Sequence, residues 1–193
     1  MSATANGKLV IFSGPSGAGK STVLKQLLKT CRLPLQPSVS ATTRAPRHGE
    51  RNGVEYHFLS KEAFARRREN GEFLECKEVY GRGDWYGTLK ETVASGLASG
   101  KWVVLEIDVQ GAVSVLETYP EAITVFVHSG SLEALEHRLR QRGTESEEST
   151  QRRLEVARAE MALMSQYTHE VNNQVVSQAA DEIYEILNRY AET

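Results

Sequence analysis

The run Gly14-Pro15-Ser16-Gly17-Ala18-Gly19-Lys20-Ser21 matches G-x-x-x-x-G-K-[ST] at every fixed position, and its flanks restrict the chain to few folds. Leu9-Val10-Ile11-Phe12 before it reads as a short buried strand, and Thr22 to Leu28 after it has the spacing of an amphipathic helix. Strand, glycine-rich loop and helix, in that order, are the context in which the pattern marks a phosphate site. Glycines let the backbone wrap closely, so that successive N–H groups and the helix N-terminus face an anion. Lys20 would reach the β- and γ-phosphates of a nucleoside triphosphate, and the Ser21 hydroxyl would ligate Mg²⁺. A plain Gly/Ser turn between strand and helix is the alternative, and the context disfavours it.

The rest of the chain extends this α/β start. Trp102 to Asp108 is an apolar strand ending in acids, followed by a helix from Gln110 to about Tyr119. Ala122 to Val127 is another core strand. Ser131 caps a helix with Leu132, Leu135 and Leu139 at helical spacing. Thr144-x-x-Glu147 resembles a capping box opening a long helix that carries Leu154, Ala157, Met161 and Met164. A last helix from about Gln178 places Ile183, Ile186 and Leu187 on one face. Strands alternating with helices indicate a parallel sheet with helices on both sides.

Between about Gln36 and Tyr86 the rhythm breaks and an inserted, mostly β lobe is expected. Helix 1 ends near Cys31, ahead of Pro34 and Pro37. A turn at Asn52-Gly53 before Tyr56-His57-Phe58-Leu59 signals a hairpin. Ser60 is an N-cap for a helix to about Glu69, stopped at Asn70-Gly71. Phe73 to Tyr80 alternates weakly, like a half-exposed strand.

The 193 residues fit one domain carrying such an insertion. A net charge of −2 argues against a nucleic-acid partner, which would draw a basic excess. Arg66-Arg67-Arg68 is flanked by Glu62, Glu69 and Glu72 and reads as a solvated helix face. The two cysteines, Cys31 and Cys76, match no metal spacing, and five scattered histidines match none either. With no secretory signal at Met1–Gly7 and no membrane-length apolar run, a cytoplasmic protein with free thiols and no membrane association is expected.

The inserted lobe has the residues a phosphate-bearing acceptor needs. Arg44 and Arg47 lie three apart in a Thr/Pro-constrained segment, suited to forking around phosphate oxygens. Tyr56 and Tyr86 could add phenolic donors. A carboxylate at Glu75, beside apolar Phe73 and Leu74, can accept two N–H bonds side by side. Guanine offers that pair at N1 and its 2-amino group, whereas adenine presents an acceptor at N1. Ser40 and Thr88 could donate to a base carbonyl or orient the carboxylate. Solvated arginines, packing tyrosines and an exposed strand carboxylate are the bland readings of the same residues.

Taken in order, the motifs resemble the guanylate kinase family, from about Lys8 to the final helix. They are Ser40-Ala41-Thr42-Thr43-Arg44-x-Pro46-Arg47-x-Gly49-Glu50, Gly53-x-x-Tyr56-x-Phe58, Phe73-Leu74-Glu75, Tyr86-Gly87-Thr88, Glu106-Ile107-Asp108-x-Gln110-Gly111 and Arg138-Leu139-x-x-Arg142-Gly143-Thr144-x-x-Glu147. The resemblance implies Mg²⁺-dependent transfer of the γ-phosphoryl group of ATP to GMP, giving ADP and GDP in purine nucleotide metabolism. It implies a P-loop NTPase three-layer core (8–35 and 89–193), a GMP-binding lobe (36–88) and a helical lid (about 138–153), behind a flexible tail (1–7). The three parts of the family's fold close together on the substrates. On that pattern Ser40, Glu75 and Thr88 read guanine; Arg44, Arg47, Tyr56 and Tyr86 hold the GMP phosphate; Gly87 belongs to the GMP site and Asp108 supports it. Lys20, Arg44, Arg142 and Arg153 would be catalytic, with Arg138 a weaker lid candidate, and Asn173 a candidate at the adenine. Whether the chain acts as a monomer or a homo-oligomer is left open.

The chain departs from the family pattern in two places. Between Glu75 and Tyr86 it is a couple of residues longer, with Arg82-Gly83 the extra material, and near the C-terminus Asn173-Gln174 stands where Asn-Asp is common. Three rival readings fit less well. A non-catalytic relative binding protein partners predicts an eroded P-loop and appended domains, a kinase of a ribose phosphate has no use for Ser40, Glu75 and Thr88, and an ATPase or GTPase switch leaves the lobe unexplained.

Overall fold

The computed structural model describes residues 7–79, 83–141 and 147–192. In chain order the elements are β1 (Leu9–Ser13), α1 (Lys20–Thr30), β2 (Leu35–Pro37), β3 (Ala41–Thr42), β4 (His57–Phe58), α2 (Lys61–Glu69), β5 (Phe73–Val79), β6 (Asp84–Leu89), α3 (Lys90–Ala98), β7 (Trp102–Glu106), α4 (Val109–Thr118), β8 (Ile123–His128), α5 (Leu132–Gln141), α6 (Glu147–Met161), a one-turn 3₁₀ helix (Met164–Gln166), β9 (His169–Asn172) and α7 (Val176–Ala191). The strands form a mostly parallel five-stranded sheet, β2-β7-β1-β8-β9, and a four-stranded sheet, β4-β3-β6-β5. This is the α/β fold the alternation predicts. The described residues fall into two compact units, one within Met1–Leu9, Gln36–Leu105 and Gln110–Ala122, the other within Val10–Leu35, Glu106–Val109 and Ile123–Thr193. The expected tail, apart from Gly7, lies outside the described residues, as do the Thr144 of the capping box, Arg142, and Tyr80 to Arg82 of the lengthened turn.

In the second unit β1 and β8 are buried at every position. Unbroken apolar runs of this kind are what a parallel strand covered on both faces requires. β1 pairs in parallel with β8, from Val10↔Ile123 to Ser13↔Phe126, and β8 with β9, from Val125↔His169 to His128↔Asn172. α7 packs on α1 and β9 with Ala179, Ala180, Ile183, Ile186 and Leu187 buried, the face its spacing predicts. Leu135 and Leu139 of α5 pack with Leu154 and Ala157 of α6. The predicted cap holds, with the Ala134 N–H donating to Ser131 Oγ at 3.2 Å. Met164 does not extend α6. The helix tightens into i→i+3 bonds after Glu160, whose carbonyl accepts from the Leu163 N–H, and Met164 sits in the separate 3₁₀ turn.

In the first unit the hairpin signal misleads. Gly53 does turn, at φ 78° with its N–H donating to the Tyr56 carbonyl, but β4 then pairs in parallel with β3, Ala41↔His57 and Thr42↔Phe58. An Asn-Gly pair reports only the local turn; which strand β4 joins is a long-range choice. The Ser60 cap forms, accepting from the Ala63 N–H at 3.1 Å, and α2 presents Phe64 to Phe73 in a stacked pair 4.4 Å apart. Ala41, Phe64, Phe73 and Leu89 are the core of this sheet, with Cys76 and Trp85 against it.

The β5–β6 ladder is antiparallel and shifts register between Phe73↔Leu89 and Glu75↔Thr88. The irregularity at Leu74 lets Phe73 and Cys76 both meet the core, which strict alternation would forbid, and leaves Glu75 opposite Thr88. Gly87 follows from that geometry. A Cβ there would lie 2.8 Å from Cys76 Cβ and from Phe73 Cδ1.

Candidate active site

The loop between β1 and α1 is shaped by contacts that glycine alone permits. Gly14, Gly17 and Gly19 have φ of 130°, 96° and 89°. A side chain on Gly14 would strike the Val127 carbonyl of β8, and one on Gly19 the Asn173 amide. Gly19 caps α1 without any side-chain hydrogen bond, and the first turn carries no acid. The helix therefore presents its first N–H groups and its positive end to an anion. Lys20 folds back over the loop, its Nζ donating to the carbonyls of Gly14 at 2.6 Å and Pro15 at 3.1 Å. Burial pushes the Lys20 ammonium below the usual lysine range, and the carboxylates of Glu106, Glu160 and Asp108 oppose that shift.

Ser21, on the first turn of α1, donates to Glu106 Oε1 at 2.5 Å at the end of β7, with Asp108 two residues on. Three further groups brace the loop. Arg153 of α6 donates through Nη2 to Ser16 Oγ at 2.7 Å. Arg138 of α5 donates to the Ala18 carbonyl at 3.3 Å and to the Asn173 carbonyl at 2.5 Å. Asn173, only 1% exposed, gives its own amide to the Ala18 carbonyl at 2.7 Å. Beside the loop lies a cavity of about 390 Å³ lined by Gly17, Gly19, Thr22, Arg138, Gln141, Asn173 and Val176.

The first unit gathers the other set. Thr88, wholly buried, donates to Glu75 Oε1 at 2.7 Å across the β5–β6 ladder. Arg44 follows β3, where the chain is pinned to β6 by Thr42 Oγ1 and the Thr43 N–H on the Trp85 carbonyl. Its guanidinium stands over Tyr56 at 5.5 Å and Phe58 at 5.8 Å, and its Nε donates to the Tyr86 hydroxyl at 3.1 Å. Tyr56 and Tyr86 meet edge to face at 5.7 Å. Ser40 is half-buried beside β3, its carbonyl accepting from His57, and Arg47 is exposed.

The sequence-predicted residues thus assemble as two groups. Gly14 to Ser21, Asp108, Arg138, Arg153 and Asn173 fall in the second unit; Ser40, Arg44, Arg47, Tyr56, Glu75, Tyr86, Gly87 and Thr88 in the first. Asp108 lies in the unit of the phosphate loop, where its charge bears on Lys20. Two carboxylates were missed as site residues. Glu50, inside the quoted motif, receives Arg44, and Glu160 acts on Lys20 from a helix whose spacing signals only packing.

Fold and loop together make this a P-loop nucleotide-binding protein. The guanylate kinase family model matches residues 6–190. A guanylate kinase of Rhodopirellula baltica is 60% identical over 94% of this chain and 87% of that protein, and one of Fusobacterium nucleatum is 45% identical over 94% and 96%. The crystal structure of guanylate kinase from Anaplasma phagocytophilum superposes with a TM-score of 0.76 at 32% identity, covering 96% of this chain and 87% of that one. The chain belongs to the guanylate kinase family.

Proposed function

We propose that this chain holds GMP through residues of its first unit and ATP through residues of its second, and transfers the γ-phosphoryl group of ATP to GMP, giving ADP and GDP. ATP-dependent phosphorylation of GMP to GDP is the reaction of the family to which the chain belongs. The observation that carries the residue assignment is the Glu75–Thr88 pair in the same sheet as the Arg44–Tyr86–Tyr56 cluster. A carboxylate held by a buried hydroxyl presents acceptors to the guanine N1–H and 2-amino group. Arg44, Arg47 and the two phenols suit the 5′-phosphate. The numbers 36–88 bound the lobe that carries this acceptor site.

On the second unit, the loop N–H groups and α1 cradle the triphosphate, and Lys20 exchanges its carbonyl partners for phosphate oxygens. Arg153, already on Ser16, and Arg142 of the segment about 138–153 meet the charge that shifts during transfer. Arg138 and Asn173 hold Ala18 in place, next to a cavity of about 390 Å³ with room for the adenine. The Ser21 hydroxyl and Glu106 are hard oxygen donors of the type that suits Mg²⁺, with Asp108 close by. When bound, Mg²⁺ neutralises charge on the β- and γ-phosphates. The GMP phosphate is already anionic near neutrality (second pKa about 6), so no general base is needed.

The free thiols Cys31 and Cys76 support action in the cytoplasm, and among the described residues no helix is long and apolar enough to cross a membrane. A coupled ADP-release assay with ATP and each of GMP, dGMP, AMP, CMP and UMP tests the acceptor assignment. GMP should exceed AMP in kcat/KM by roughly 10⁴-fold, because AMP leaves the Glu75 carboxylate facing a lone pair. Comparable values for AMP and GMP would overturn it.

A further inference from the structure

Arg44 reaches its place through four bonds, and most of its donors are spent before any phosphate arrives. Nε donates to the Tyr86 hydroxyl at 3.1 Å and Nη1 to the Ala45 carbonyl at 2.6 Å. Nη2 lies 3.0 Å from both Oε1 and Oε2 of Glu50. A guanidinium has five N–H groups on three nitrogens, and all three nitrogens of this one are already engaged. Glu50 does more than pair with Arg44. Its Oε2 accepts the Arg47 main-chain N–H at 2.7 Å, and its own N–H donates to the Arg47 carbonyl at 3.0 Å. One carboxylate therefore ties the segment 44–50 into a closed loop with Arg44 at its base. Both partners are shielded, with side-chain exposures of 14% for Arg44 and 18% for Glu50. Arg47 projects from the same loop, exposed, and its guanidinium has no hydrogen-bond partner among the described residues.

We propose that Glu50 is a positioning residue of the acceptor-phosphate site: it fixes Arg44 as a rigid wall and shapes the loop from which Arg47 closes on the phosphate. This rests on the reading of Arg44, Arg47, Tyr56 and Tyr86 as the groups that hold the GMP phosphate. The two arginines then have unlike tasks. Arg44 is pre-ordered, offering its remaining N–H groups and the Tyr86 hydroxyl beside it, while Arg47 supplies an exposed fork. A carboxylate this close to a dianion opposes binding by Coulomb repulsion, which solvent weakens at a partly open site. Against that, its loss releases the Arg44 side chain and the backbone of the loop, all of which GMP must then order again. With several residues set free by one change, the ordering effect wins.

The test compares Glu50→Ala and the isosteric Glu50→Gln with the parent enzyme, measuring KM for GMP and for ATP, kcat, and inhibition by guanosine competing with GMP. Guanosine carries the base but no phosphate. Glu50→Ala should raise KM for GMP about tenfold or more, as expected for losing hydrogen bonds to a charged group, and leave KM for ATP and the guanosine inhibition constant within about twofold. Glu50→Gln should fall between, because its amide oxygen can take the place of Oε2 and still accept from Arg44 and the Arg47 N–H, while the charge is lost and the NH₂ that replaces Oε1 faces Arg44 Nη2 donor to donor. An unchanged KM for GMP in Glu50→Ala would overturn the proposal. So would a guanosine constant that rises in step with it, which marks general damage to the lobe. Arg44→Ala and Arg47→Ala separate the two levels. If neither raises KM for GMP, the phosphate-site reading fails and the Glu50 proposal with it; if both do and Glu50→Ala does not, only the Glu50 proposal fails.

Discussion

Thr88 donates its hydroxyl to Glu75 Oε1 at 2.7 Å, from a position with no exposed surface, across a ladder whose register slips just before Glu75. The bond fixes the plane of a carboxylate that could otherwise rotate, so the direction in which Glu75 accepts is set before the base arrives. Glu75→Gln should therefore lower kcat/KM for GMP by about 10- to 100-fold, the range expected for hydrogen bonds to a charged group. KM for ATP should change little. Thr88→Val should act in the same direction and less strongly. Steady-state kinetics with each substrate varied in turn checks both, and an equal rise in KM for ATP would count against base reading by this pair.

The same ladder gives a stability prediction. A methyl group on Gly87 meets Cys76 Cβ and Phe73 Cδ1 at 2.8 Å and the Glu75 carbonyl at 2.9 Å, and two of those three neighbours cannot swing away. Gly87→Ala should destabilise the protein by about 1–3 kcal/mol, the usual cost of overpacking. Thermal unfolding should show a lower Tm, with KM for GMP affected because Glu75 is among the displaced atoms. A Tm equal to that of the parent protein would mean that the strands move apart at no cost.

Much of this was legible in the sequence and some was not, for physical reasons. Gly14 to Ser21 announce themselves because phosphate binding dictates residue types at fixed local spacing, and Ile183, Ile186 and Leu187 because a buried helix face has a period. β2 and β3 are three and two residues long and have no period to read, whereas β4 falls within the Tyr56–Leu59 stretch that the turn at Asn52-Gly53 marks. β9 exposes His169, Glu170 and Asn172 to some degree and buries only Val171, so it lacks the apolar run that marked β1 and β8. The slip at Leu74 is a property of two strands together. Glu50 is invisible as a site residue because its role lies in closing a loop on Arg44, and the bracing of Ala18 by Arg138 and Asn173 is a long-range contact that neither residue's spacing announces.

Glu50 also gives a prediction for acid. The Arg47 main-chain N–H first, then Arg44, hold its carboxyl below the ordinary glutamate range. The folded state thus favours the ionised form. The stability this contributes is fully present above the unfolded value of about 4.3 and is lost as pH falls through the lowered folded value. The difference in Tm between the parent protein and Glu50→Gln should be constant from pH 6 to 8 and narrow only in acid below the ordinary glutamate value. Melting curves across that range decide it; a difference that changes between pH 6 and 8 would assign the effect to another group.

Arg153 and Arg47 should separate in kinetics, because they meet different charges. Arg153 comes from α6 and is held on the phosphate loop by Ser16 Oγ at 2.7 Å, where a triphosphate would lie in the proposed site. Charge there is redistributed during transfer, so an arginine at that point stabilises the transition state more than either bound substrate. Arg153→Ala should depress kcat by about 10³-fold, the lower end of what an arginine supplied this way is worth. Arg47 faces a phosphate that is anionic before, during and after binding. Its loss should raise KM for GMP with a smaller effect on kcat. Ser16→Ala, which removes only the anchor of Arg153, should lower kcat by far less than Arg153→Ala, since the arginine itself remains. Measuring kcat and both KM values for the three variants makes the comparison. If Arg153→Ala changes only KM for GMP, Arg153 belongs to the acceptor site, and its bond to Ser16 is a feature of the substrate-free loop alone.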